Sequence, residues 1–412
     1  MVEITIKNQR AGSVGQRIPI TLGDISPLSV TPFQPGKIAL VCEGGGQRGI
    51  FTAGVLDEFM RARFDPFDLY LGTSAGAQNL SAYVCNQPGY ARKVITRYTT
   101  SRDFFDPMRF VRGGNLIDLD WLTEATSSKM PLAMDVGARR FDGGKSFLMC
   151  ASRADDYSPA YFSPTKESWM DQIRASSAIP GFYRSGVQMD GVNWLDGGVS
   201  DAIPVQEAVK RGAKTLVVIR TVPSQMYYTP QWFKRMERWL GESSLQPFVN
   251  LVQHHEKTYR AIQSFIEKPP GNLRILEIYP PKPLKSMALG SRLPALLDDY
   301  NLGRQCGRYF LATVGKILAT TPPLRRFRPR LATSISPLAA STAAAVSATS
   351  PSHDAAAGTS AAGGAASPAA GSPVVGAAIM VPPAAVANDP RGAVIVPAPR
   401  ANDSRLDSED LA

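Results

Sequence analysis

The chain has 412 residues, 44% of them hydrophobic, and a formal net charge of +10, enough for more than one average domain. A basic balance of this kind can draw a protein to nucleic acid, anionic lipid or acidic substrates, and charge alone does not choose among them. No run approaches the roughly eighteen consecutive apolar residues of a membrane span. The opening MVEITIKNQR has no apolar segment of secretory type, so the expectation is a cytoplasmic protein or one peripheral to a membrane.

In chain order, residues 1–35 read as an irregular arm, broken by Pro19, Pro27, Pro32 and Pro35. Lys37-Ile-Ala-Leu-Val-Cys42 is an apolar run of strand length, followed by glycines and then by Phe51, Val55 and Phe59 at helical spacing. A second strand, Phe67–Leu71, leads into Gly72-Thr-Ser-Ala-Gly76 and a helix over 77–85. Further strands are expected at 146–151, 192–195, 215–220 and 273–279, with helices at 166–176 and 205–211 between them. The stretch 231–267 is helical in pattern and polar enough to lie outside, and 303–318 reads as the last helix before Pro322-Pro323. Alternating strands and helices argue a mainly parallel sheet covered on both faces. Cys42 and Cys150 fall in apolar strands, where a buried reduced thiol is expected, and none of the four cysteines has metal-site spacing.

Beyond Leu331 there is no Phe, Trp or Tyr, and 51 of 82 residues are Ala, Ser, Pro or Gly. Such a segment buries too little apolar surface to offset the entropy of ordering it, so a disordered C-terminal tail is expected. The tail carries −3, which leaves +13 on the first 330 residues. The organisation expected is an arm at 1–35, a catalytic domain at 36–321, and a basic linker with its tail at 322–412.

Three glycine motifs carry the chemistry. Gly44-Gly-Gly-Gln-Arg-Gly49 lies between a strand and a helix and formally satisfies the dinucleotide fingerprint through Gly44, Gly46 and Gly49. That reading needs an acidic residue at the end of the second strand, where Gly72-Thr-Ser74 stands instead. Backbone N–H groups of such a loop at a helix N-terminus can instead hold a developing oxyanion. The second motif, Gly72, Thr73, Ser74, Ala75 and Gly76, has the strand–turn–helix setting of a nucleophile elbow, with small neighbours that let the turn close.

A serine nucleophile needs a base. His353 lies in the tail, and His254 and His255 lie in the polar helix, where solvent exposure is expected. Asp-Gly-Gly occurs at Asp142, read as a polar hairpin turn, and at Asp196-Gly197-Gly198, after a strand and before a proline-opened helix. The latter places Asp196 at a strand's carboxyl end, as Ser74 is, and topology favours it. Asp201 is a weaker candidate, better suited to capping the following helix.

These motifs in this order, with Arg174-Ala-Ser-Ser-Ala-Ile-Pro180 before the last, resemble the patatin-like phospholipase family over roughly residues 35–321. The resemblance implies a three-layer α/β/α sandwich, a Ser–Asp dyad and hydrolysis of acyl esters of lipids, phospholipids foremost, without metal or cofactor. Carried onto this chain, Ser74 is the nucleophile and Asp196 the base. Gly44, Gly45, Gly46, Gln47, Arg48 and Gly49 form the oxyanion loop, with Arg48 positioning it or attracting anionic head groups.

At the surface, Trp232–Trp239 mixes aromatics and cations, which suits helix packing with a basic face more than a membrane interface. Arg325–Arg330 suits anionic lipid or a charged linker equally, and no nucleic-acid motif is present. Two classes of function remain: a serine acyl hydrolase, and a non-catalytic lipid- or nucleotide-binding protein on a hydrolase-like or Rossmann-like fold.

Overall fold

Residues 15–22, 33–224 and 246–320 are described in the computed structural model; Trp232–Trp239, Arg325–Arg330 and the alanine-rich tail lie outside them. Among the described residues nine strands form one sheet: β1 (Gln16–Ile20), β2 (Ile38–Cys42), β3 (Leu69–Thr73), β4 (Ser146–Arg153), β5 (Pro159–Phe162), β6 (Val187–Met189), β7 (Val192–Asp196), β8 (Thr215–Ile219) and β9 (Arg274–Ile278). The helices around it are α1 (Gly49–Arg61), α2 (Ala75–Val84), α3 (Tyr90–Lys93), α4 (Pro107–Val111), α5 (Leu119–Lys129), α6 (Met134–Asp142), α7 (Trp169–Ser177), α8 (Val205–Lys210), α9 (Gln246–Glu267), α10 (Leu293–Phe310) and α11 (Lys316–Thr320).

Every residue of β2, β3 and β8 is buried, which requires cover on both faces and is the property of parallel strands joined by helices. Alternate side chains divide the core accordingly. Leu40, Cys42 and Tyr70 pack with Phe51, Val55 and Phe59 of α1 and with Tyr300 and Phe310 of α10. Ala39, Val41, Leu69 and Leu71 pack on the other face with Val205 and Ala208 of α8 and with Tyr259, Ile262 and Ile266 of α9. The result is a three-layer α/β/α arrangement.

The strand order is β1-β9-β8-β2-β3-β4-β7-β6, with β5 also on β4. Pairings from β1 through β4 are all parallel. Those of β5, β6 and β7 are antiparallel.

Three expectations change. The arm is not irregular throughout, because Gln16–Ile20 pairs in parallel with Arg274–Ile278 at the sheet edge, and Pro19, on an edge strand, is tolerated there. Asp142 ends helix α6, exposed, instead of turning a hairpin. The helix over 246–267 does not lie wholly outside: Tyr259, Ile262, Gln263 and Ile266 are buried, an inward stripe at helical spacing along a chain whose average composition is polar. All four cysteines are free and buried.

Candidate active site

The parallel strands β2 and β3 lie side by side, with Cys42 opposite Gly72, so the glycine loop and Ser74 leave the same sheet edge together. Ser74 has φ 53° and ψ −123°, a backbone conformation that costs a residue with a Cβ about 1–3 kcal/mol and persists only where its surroundings enforce it. They do so by close approach. A Cβ at Gly76 would stand 2.3 Å from the Cys42 carbonyl oxygen, and one at Gly72 would stand 2.6 Å from the Ala77 nitrogen. The turn is also fastened from outside: Ser74 N–H donates to Ser176 Oγ at 2.8 Å, and Ser176 Oγ donates to the Cys150 carbonyl at 2.5 Å. Thr73 Oγ1 donates to the Asp201 carbonyl at 2.7 Å.

Asp196 reaches Ser74 by a route the sequence did not indicate. Its strand runs antiparallel to β4, with Ala151 opposite Asp196, while Cys150 is opposite Thr73 of β3. The carboxyl is therefore delivered one strand beyond β4 and one residue past the Thr73 level. It is buried, accepts the Gly198 N–H at Oδ1 (2.7 Å), and lines the same cavity as the Ser74 side chain. Burial raises its pKa to about 6, against the opposing pull of the nearby Ser74 hydroxyl and the Gly198 N–H. It is thus ionised at neutral pH yet close enough to its pKa to take up a proton.

The six loop residues differ in what their N–H groups already do. Gly44 N–H donates to the Ala202 carbonyl (3.2 Å), Gln47 N–H to Ala288 (2.8 Å) and Arg48 N–H to Gly45 (3.2 Å). Gly49 N–H goes to the Gly46 and Gln47 carbonyls. Those of Gly45 and Gly46 enter no hydrogen bond within the described residues, and both glycines line the cavity that holds Ser74 and Asp196. Gln47 is buried and anchors the loop: its amide donates to the Thr99 carbonyl and Oγ1 and accepts the Ser291 N–H at 2.8 Å. Gly46 has φ +57°, and a Cβ there would meet the Ala288 carbonyl oxygen at 2.3 Å, so only glycine fits.

Two spaces meet at Ser74. One, of about 80 Å³, is apolar and runs between α2, α5 and α7, lined among others by Ala75, Ile95, Leu122, Met170 and Ile173. The other, of about 270 Å³, is walled by the glycine loop, Asp196 and helix α9 through Leu251, Val252, His255 and Tyr259. Among the described residues no group of three or more His, Cys, Asp or Glu is arranged to hold a metal.

The remaining candidates are placed as follows. Asp201 does not cap the following helix, whose N-cap is Pro204 without a side-chain bond. Its carboxyl accepts the Tyr161 O–H at 2.6 Å, and burial raises its pKa to about 6. His254 stands 5.5 Å from the Tyr157 ring. His255 is half-buried instead of exposed, and its Nδ1 lies 2.6 Å from the Gly198 carbonyl oxygen. Burial lowers its pKa and keeps the ring neutral. Composition hid this residue, but Leu251, His255, Tyr259, Ile262 and Ile266 recur on one helical face, which is a legible signal of an inward side.

The family model for patatin-like phospholipase matches residues 40–209, and a domain of unknown function (DUF6363) matches residues 245–319. The chain is 67% identical, over 399 residues, to the uncharacterized protein YjjU of Escherichia coli strain K12, covering 97% of this chain and all of that one. Among solved structures, VipD from Legionella pneumophila matches at 12% identity and a TM-score of 0.38, over 70% of this chain and 67% of that one. Human GIVD cytosolic phospholipase A2, in complex with methyl gamma-linolenyl fluorophosphonate, matches at 12% identity and a TM-score of 0.37, over 70% and 60%.

Proposed function

Since the chain belongs to the patatin-like phospholipase family, we propose that it is a serine acyl hydrolase of lipid esters in which Ser74 attacks and Asp196 is the base. The observation that carries this reading is the placement of Ser74 and Asp196 on one cavity with Gly45 and Gly46: a strained, externally fastened serine beside a buried carboxylate, whose pKa burial raises. Asp196 takes the Ser74 proton as Oγ adds to the ester carbonyl, and the Gly45 and Gly46 N–H groups receive the oxyanion. Collapse of the tetrahedral adduct expels the alcohol, which takes the proton from Asp196. A water deprotonated by Asp196 then releases the fatty acid from the acyl-enzyme. The apolar space beside Ala75 suits the acyl chain, and the wider one along α9 suits the rest of the lipid.

A fluorophosphonate probe tests this directly, because it phosphonylates only an activated serine. We expect stoichiometric labelling that is lost in Ser74→Ala, followed by release of fatty acid from a panel of phospholipids and neutral lipids. A folded chain that binds lipid vesicles without being labelled would instead be a non-catalytic binding protein.

Exposed apolar and cationic side chains support approach to a lipid surface as part of the same reading. Met108, Val111 and Met287 are each more than half exposed, and Arg102, Arg112 and Arg184 are exposed near them in chain or space. Arg184 stacks over Phe110 at 4.8 Å and donates to the Gly113 carbonyl. Gly290 sits against Phe105, next to the cavity-lining Leu289. Apolar side chains among cations fit an anionic bilayer. Vesicle sedimentation should weaken as salt rises or anionic lipid is withdrawn, and indifference to both would remove this part of the reading. No helix among the described residues is long and apolar enough to cross a membrane.

A further inference from the structure

We infer that His255, on a helix beyond the segment matched by the phospholipase model, is a positioning residue for Asp196, and that the segment 245–319 completes the catalytic apparatus. The inference rests on the Ser74–Asp196 dyad proposed above.

The geometry runs through a single glycine. His255 Nδ1 lies 2.6 Å from the Gly198 carbonyl oxygen. A carbonyl only accepts, so Nδ1 carries the proton and the lone pair is on Nε2. Gly198 in turn donates its N–H to Asp196 Oδ1 at 2.7 Å. The two peptides flanking Gly198 are thus held by the helix on one side and hold the base on the other. Space there is tight: a Cβ on Gly198 would stand 2.9 Å from Asp196 Oδ1. His255 also lines the cavity that contains Ser74 and Asp196.

One helical turn later, the same face holds the other half of the site. Tyr259 O–H donates to Glu43 Oε1 at 2.6 Å and accepts from Arg220 Nη2 at 2.7 Å. Glu43 immediately precedes the glycine loop, and its Oε2 accepts the Thr221 N–H at 2.5 Å. Farther along the segment, the Ala288 carbonyl and the Ser291 N–H take the backbone and side chain of Gln47, both at 2.8 Å. The polar contacts reach the turn that carries the base and the loop that would carry the oxyanion. A carboxylate base works only within hydrogen-bond reach of the serine, and a misplacement of about 1 Å can cost about 100-fold in rate.

The deciding experiment replaces His255 by Ala and by Asn in the full chain. The Asn amide N–H occupies the place of Nδ1–H but leaves nothing at Nε2. Fluorophosphonate labelling rates, kcat and KM on a short-chain ester are read alongside melting temperature and circular dichroism. His255→Ala should lose roughly 10- to 100-fold in labelling rate and in kcat with KM unchanged, and His255→Asn should recover most of that loss. Wild-type rates in folded His255→Ala overturn the inference. So does a folded His255→Asn as slow as the Ala variant, because Nε2 would then act in the chemistry itself. If His255→Ala does not fold, the rate of His255→Asn alone decides in the same sense. Wild-type protein that takes up no label sinks the dyad reading, and the inference with it.

Discussion

The two regions that meet at Ser74 are built in opposite ways. Between Ile38 and Gly76 the groups of the site sit in short glycine motifs, each at the end of a buried parallel strand. There the backbone runs so close to a carbonyl oxygen that an added Cβ would stand 2.3 Å from it, as at Gly76 and Gly46. Between 246 and 319 the contributing groups are His255, Tyr259, Ala288 and Ser291, spread over helix and loop and linked by no motif. Backbone geometry constrains the first region, so few residue types fit and the pattern is conspicuous. Side-chain reach constrains the second, so many arrangements would serve and none stands out. Chemistry concentrates where the backbone is strained, and support comes from wherever a side chain can reach it.

Variants of the glycine motifs, including the Asp196-Gly197-Gly198 turn that meets the first region at Ser74, should produce the larger effects. Asp196→Asn should lower ester hydrolysis by about 10³-fold or more, since the proposed dyad loses its base, while Asp142→Asn, on the exposed end of α6, should leave it unchanged. The same substitution bears on stability. The Asp196 pKa lies near 6, above its ordinary 3.8, because burial disfavours the charged form. Its contribution is intact below pH about 4 and is lost as pH rises through about 6, so Asp196→Asn should be more stable than wild type at pH 8 and not at pH 4. The upper bound is about 3 kcal/mol, readable as a difference in denaturant midpoints. A variant that is inactive but no more stable at pH 8 would mean that the carboxylate is better solvated than its surroundings indicate.

Gly45→Pro removes a donor from the loop and distorts it, with an expected loss of roughly 10²–10³ in kcat. Near-normal turnover by the folded variant would place the oxyanion elsewhere. The pH profile offers a milder test. The acylation rate should rise with a single limb near pH 6 and level above it, as Asp196 ionises. Asp201→Asn should keep that limb, although the Asp201 pKa is also about 6, because its carboxyl is bonded to Tyr161 and lies outside the cavity lining.

The smallest effect belongs to the second region. Tyr259→Phe takes one hydrogen bond from the buried Glu43 and should cost about 1–3 kcal/mol in stability and only several-fold in kcat. A loss as large as that of Gly45→Pro would erase the contrast between the regions.

The glycine loop, the elbow and the Asp-Gly-Gly turn were legible because each is a local solution to a local steric problem, and the residues that solve it are adjacent in the chain. Legibility decreases with distance along the chain. The sequence points to Asp196 through its place at a strand's carboxyl end, but β7 runs antiparallel to β4 and approaches Ser74 by register. Which of the loop's N–H groups are already bonded depends on Ala202 and Ala288, far along the sequence. Mean polarity over the helix predicts an exposed His255, whereas the stripe through Tyr259, Ile262 and Ile266 marks the inward face on which it lies.

Composition and periodicity alone determined that this chain forms a covered α/β sheet and where its sharp turns fall, since burial on both faces and the absence of a Cβ are properties of single residues and their neighbours. The pairing of β7 with β4, the strand at the N-terminal edge and the reach of α9 to Gly198 and Glu43 were decided only in three dimensions. Such contacts join residues from 41 to 258 positions apart, and their energies depend on which surfaces the folded sheet brings together, which no local pattern encodes.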